Sequence, residues 1–145
     1  MTATTFSAHQ GSMNVILIIS QDTDMVRVWK LLFEQRNCRV ICETNQHDGL
    51  SSARLISPTL TILDLDLPHE ERVRLCRDLR ASANGTLLLI NSSYRSIDVL
   101  EYKQAGVDET VPADVSPMGL LIKSLAWLAR QDWIVPRKQS VQMYG

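Results

Sequence analysis

The chain of 145 residues is short of cysteine, of aromatic residues and of net charge. Cysteine occurs three times, at Cys38, Cys42 and Cys76, an odd number at irregular spacing. That excludes a disulfide framework and points to a reducing, cytoplasmic setting. Cys38 and Cys42 have only His47 nearby as a further metal ligand, so both are expected as small apolar residues of a strand rather than as half of a zinc site. Fifteen basic residues face sixteen acidic ones, a net charge of −1, which gives no generic attraction to nucleic acid or to an anionic membrane. No apolar run approaches the roughly 18 residues of a membrane span. Residues 1–13 lack the basic start and apolar stretch of a secretion signal and read as a flexible arm. No internal repeat or low-complexity stretch is present.

What is present is the composition of one folded domain, 45% hydrophobic and 21% charged, long enough to bury a continuous core. Short aliphatic runs alternate with stretches of helical period. The runs Val15 to Ile19, Leu60 to Leu65 and Thr86 to Ile90 are uninterrupted, as in strands covered on both faces. Arg39 to Cys42 and Glu109 to Val111 read as shorter strands. Between them, Met25, Val28, Trp29, Leu32 and Phe33 mark a first helix, with Thr23 or Asp24 expected to cap it and Trp29 and Phe33 in the core. A second helix over residues 48–56 should turn Leu50, Ala53 and Leu55 inward and stop before Pro58. A third over 70–83 carries Val73, Leu75, Cys76 and Leu79 on or near one face and ends at Asn84-Gly85. A fourth over 97–105 ends at Gly106, and a fifth over 117–128 starts from Ser116 and Pro117. The expected fold is α/β, a doubly wound five-stranded parallel sheet flanked by five helices. Its bounds are expected at 14–131, with residues 132–145 a tail or the start of a linker.

A sheet of this kind binds ligands beyond the carboxyl ends of its strands. The residues there are Ser20, Gln21 and Asp22 after the first run, Asp64 and Asp66 at the third, Asn91 and Ser92 after the fourth, and Pro112 to Asp114 after the fifth. Asp64 directly follows Thr61-Ile62-Leu63, where a carboxylate is costly unless solvated, paired or used.

Five segments, in this order and spacing, resemble the receiver domain of response regulators: Ile16 to Asp24, Pro58 to Pro68, Leu75 to Arg80, Ala105 to Glu109 and Ser116 to Leu121. The resemblance covers roughly residues 14–131 and implies a flavodoxin-like receiver fold. It puts Asp64 in the place of the aspartate that accepts a phosphoryl group with the help of Mg²⁺. The acidic pair that holds the metal falls on Ser20 and Gln21, neither a carboxylate, with Asp22 one residue late. Asn91, followed by Ser92 and Ser93, stands where a hydroxyl residue switches position with the phosphoryl group. Ala113 stands where a lysine pairs with it, and Arg72 replaces a glycine after the loop that follows the third strand.

The resemblance therefore implies an acceptor position in a degenerate acidic pocket. The expectation is an atypical receiver, not an enzyme, that works by protein–protein contact independent of phosphorylation. No cofactor is expected, and Mg²⁺ only as a weak ligand of Asp22 and Asp64 in a working receiver. Asp64 as a cap or backbone acceptor, Asp66 as a solvated side chain, and Asp22 and Asp24 as helix caps remain open. So does a haloacid-dehalogenase-like phosphatase, suggested by Asp64-Leu65-Asp66 but without the lysine and distal acids it needs.

Receivers of the OmpR/PhoB class dimerise through the fourth helix, fifth strand and fifth helix. The matching face here is expected to carry Asp98, Glu101, Tyr102, Asp108, Glu109, Lys123 and Trp127, as a homodimer contact or a contact for another protein. No membrane contact is expected. Nucleic acid is expected only through an output domain outside this chain, for which the region of Trp133 is a natural starting place.

Overall fold

The computed structural model describes residues 13–92 and 95–144. Five strands alternate with five helices: β1 (Val15–Ser20), α1 (Thr23–Glu34), β2 (Arg39–Glu43), α2 (Gln46–Ile56), β3 (Leu60–Asp64), α3 (His69–Ser82), β4 (Thr86–Asn91), α4 (Ser96–Ala105), β5 (Glu109–Pro112) and α5 (Pro117–Tyr144). The strands form one sheet in the order β2-β1-β3-β4-β5, and every pairing is parallel. This is the doubly wound flavodoxin-like order, with its change of direction between β1 and β3.

Alternation along the strands divides the core in two. Ile16, Ile18, Leu60, Ile62, Leu88 and Ile90 face α1 and α5, where they meet Trp29, Phe33, Leu120 and Leu128. Leu17, Ile19, Leu63, Leu87 and Leu89 face the opposite layer, where they meet Ala53, Val73, Cys76, Leu79 and Tyr102. Burial on both faces is why the sequence shows unbroken aliphatic runs instead of alternation.

Several expectations change in detail. Of the caps considered for α1, Asp22 is the one used: its carboxylate accepts from the Met25 amide at 3.1 Å, and Thr23 and Asp24 lie in the first turn. On α2 the buried positions are Gly49 and Ala53, and Leu55 is 85% exposed. Leu55 lies two residues beyond Ala53, about 200° around the helix and so on its far side. Cys38 is buried as expected, but Cys42 stands exposed on the edge strand β2. Gly85 does not end α3 with a left-handed turn: Ala83 closes the helix in extended conformation. A Cβ on Gly85 would come within 2.3 Å of the Pro58 carbonyl, so close backbone approach explains the glycine. The backbone of α5 continues to Tyr144 instead of ending near 128. Residues 1–12, Ser93 and the Trp133 side chain lie outside the described residues.

Gly106 closes α4 at φ 111°, and a Cβ there would also meet Arg80 Cγ at 2.5 Å. Gly106→Ala is therefore expected to lower stability by about 1–3 kcal/mol in urea unfolding. An unchanged midpoint would show that the turn relaxes without strain.

Candidate functional site

Strand register builds the site. Ser20 pairs with Asp64 across β1 and β3, and β4 runs one residue past their level to Asn91, itself opposite Pro112 of β5. The carboxyl ends of β3, β4 and β5 open into one cavity of about 310 Å³, lined by Asp64, Leu65, Asp66, Arg72, Ile90, Asn91, Ser92 and Ala113. Of the residues singled out in the sequence, Asp64, Asp66, Asn91 and Ala113 meet here. Ser20 lies beneath, buried, and donates from Oγ to Asp64 Oδ2 at 2.9 Å while accepting from the Asp22 amide at 3.1 Å. Gln21 is exposed and does not line the cavity.

Asp64 is half-buried, and its pKa is raised above the usual carboxylate range. Burial is the main cause and the nearby Asp22 charge adds to it, while the Ser20 hydrogen bond and the Arg72 charge pull the other way. The donor set is a poor fit to Mg²⁺, which favours carboxylate and other oxygen ligands. Ser20 already hydrogen-bonds Asp64, Gln21 is neutral, and the Asp22 carboxylate caps its own helix.

The cation of the cavity is Arg72. It sits in the first turn of α3 and sends its guanidinium into the space beside Asp64. Nη1 donates to Tyr102 Oη at 3.2 Å and, at a long 3.4 Å, to Asn91 Oδ1; Nη2 reaches the Leu65 carbonyl at 3.4 Å. The sequence marked Arg72 only as a replaced glycine. A glycine position passing close to a ligand is where any side chain must enter the ligand's space, and that was the available signal.

Tyr102 needs a second correction. It was expected on the partner face, yet it is fully buried between α3 and α4, where its hydroxyl meets Arg72 and His69. The charged residues of that face are also engaged within the chain. Asp108 accepts from Arg80 at 2.6 Å and from the Leu87 amide at 2.8 Å. Glu109 accepts from Lys123 at 2.8 Å and from the Trp127 indole at 2.7 Å, and Arg130 stacks over Trp127 at 4.7 Å. Burial pushes the Glu109 pKa up, but the hydrogen bonds from Lys123 and Trp127 and the charges of Lys123 and Lys103 outweigh it and hold the carboxyl below its ordinary value.

No family model matches the chain. Among curated proteins, it is 23% identical over 117 residues to the DNA-binding response regulator MtrA of Mycolicibacterium paratuberculosis, covering 81% of this chain and 52% of that protein. It is 27% identical over 133 residues to the response regulator ArlR of Staphylococcus aureus, covering 92% of this chain and 59% of that one. The chain thus spans little more than half the length of these relatives. Among solved structures, a CheY-like receiver domain protein of Methanospirillum hungatei superposes with a TM-score of 0.74 at 21% identity, over 83% of this chain and 97% of that one. A two-component response regulator of Clostridium difficile does so with a TM-score of 0.74 at 19% identity, over 82% of this chain and 98% of that one. Its homologues are response regulators, and its fold is that of the receiver domain.

Asp64 faces the cavity in which a guanidinium from α3 stands. The raised Asp64 pKa has a consequence for stability. The folded chain holds that proton more tightly than the unfolded chain, so the contribution is full below the unfolded value of about 3.9 and lost as pH rises through the folded value. Asp64→Asn is expected to be more stable than the parent at neutral pH, with the gap closing as the pH is lowered to about 4 in chemical unfolding. A variant less stable at neutral pH would show that the Arg72–Asp64 attraction outweighs burial.

Proposed function

We propose that this chain is a receiver module that signals through protein contacts and does not depend on phosphorylation of Asp64. The observation that carries this reading is the Arg72 guanidinium in the cavity. Phosphoryl transfer to an aspartate needs fixed positive charge aimed at the transferred oxygens. Here the lysine position is Ala113, the metal-holding positions are Ser20 and Gln21, and the one cation among the described lining residues already donates to Asn91, Tyr102 and the Leu65 carbonyl. A resident cation tied to β4, α3 and α4 supports a single fixed arrangement of these elements. The protein is cytoplasmic, not an enzyme, and uses neither Mg²⁺ nor another cofactor at Asp64.

One observation favours phosphoryl acceptance instead: Asp64 faces an open cavity that Arg72 shares, so a charge partner of a kind is at hand. A phosphatase of the haloacid-dehalogenase kind has less support, because no lysine lines the cavity among the described residues.

The contact face lies on α4 and α5. Exposed Ile97 and Leu100 stand three apart on α4, and exposed Met118 and Ile122 four apart on α5, so each pair shares a helix face. Apolar pairs of this kind suit a two-fold homodimer better than the charges, which are engaged within the chain. Any DNA contact belongs to an output domain, as in the relatives named DNA-binding.

Incubation with acetyl phosphate and millimolar Mg²⁺ is expected to leave the intact mass unchanged, whereas an adduct that disappears in Asp64→Asn would establish phosphoryl acceptance. In sedimentation velocity the parent chain is expected as a dimer and Ile122→Glu as a monomer. A parent that remains monomeric at high concentration would remove the homodimer.

A further inference from the structure

We propose that His69, Asp98 and Glu101 form a binding site for one zinc-like divalent ion at the junction of α3 and α4. His69 is the first residue of α3, and Asp98 and Glu101 stand three apart on α4, so both carboxylates lie on the helix face turned to the imidazole. His69 Nε2 is 3.6 Å from Asp98 Oδ1 and 3.3 Å from Glu101 Oε1, and the three ligand atoms all lie within 4.8 Å of one another.

The two separations from Nε2 have the size set by a metal. Zinc bonds to imidazole nitrogen and carboxylate oxygen are about 2.0–2.2 Å, and the edge of a tetrahedron built on them is about 3.3–3.6 Å. As direct hydrogen bonds the same contacts are too long or misdirected. Nε2 is shielded from solvent and has no hydrogen-bond partner among the described residues, although two carboxylates converge on it. A cation between the three groups satisfies that nitrogen.

The other ring nitrogen is already oriented. His69 Nδ1 lies 2.9 Å from Tyr102 Oη, and the two rings pack at a centroid distance of 5.1 Å. With the ion on Nε2 the ring proton sits on Nδ1 and donates to that oxygen, the arrangement that outer groups commonly give a metal-binding histidine. A nitrogen ligand with two carboxylates favours zinc or a similar transition ion over Mg²⁺ or Ca²⁺, and water completes the coordination. Tyr102 Oη also accepts from Arg72, so the ion site and the Asp64 cavity share one oxygen. The site does not depend on how Asp64 is used, and ion binding is read directly.

The test is a titration of the full chain with Co²⁺, read by its visible absorption, followed by displacement with Zn²⁺. One equivalent is expected to bind with the intense bands of a low-symmetry site. His69→Ala and Glu101→Gln are each expected to weaken binding at least ~10-fold, and Tyr102→Phe about 10-fold. Cys42→Ser and His47→Ala, which alter the other exposed ligand types, are expected to bind as the parent does. The proposal is overturned by absence of stoichiometric binding, by binding that survives both His69→Ala and Glu101→Gln, or by loss of binding in Cys42→Ser or His47→Ala. Glu101→Gln keeps the test decisive should His69→Ala disturb the α3–α4 packing.

Discussion

Everything at the functional end of this molecule follows from the pairing of β1 with β3. Register sets Ser20 against Asp64, so the Ser20 hydroxyl donates to the Asp64 carboxylate. The same strand places Asp64 where apolar burial ends and the cavity begins, which is what raises its pKa. A hydroxyl at this position gives Asp64 a hydrogen bond but no second charge.

Arg72 answers Asp64 from the other side. A half-buried carboxylate at the mouth of a parallel sheet needs a counter-charge or must give up its own. The guanidinium supplies one, and its fork shape lets it also hold Asn91, Tyr102 and the Leu65 carbonyl, at distances of 3.2–3.4 Å. It thereby joins the end of β4, the loop after β3 and the buried face of α4. Tyr102 extends the connection to His69, so α3 and α4 meet through a chain of polar groups as well as through Cys76, Leu79 and Ala105.

The sheet was legible in the sequence because each central strand is covered on both faces, which leaves runs such as Leu60 to Leu63 and Leu87 to Ile90 with no polar interruption. Helices were legible from their punctuation: Ser116 caps α5 by accepting from the Gly119 amide at 2.9 Å, and Gly106 ends α4 in the left-handed region. The gathering of Asp64, Asp66, Asn91 and Ala113 around one cavity was legible because strand ends fix where such residues go. Arg72 and Tyr102 were not. Both act through the far ends of long side chains, and the direction of a long side chain depends on packing between α3 and α4 that no local pattern records. Leu55 shows the converse, a large apolar residue whose helical position leaves it in solvent.

The central claim is that the Asp64 pocket no longer switches. It is tested most directly by amide NMR of the chain titrated with Mg²⁺ and then with beryllofluoride, a mimic of the aspartyl phosphate. The account predicts a spectrum unchanged at millimolar concentrations, including the resonances of Asp64, Asn91 and Tyr102. Saturable shifts that start at Asp64 and Asn91 and spread into α4 and α5 would contradict it and show that the receiver still responds to phosphorylation.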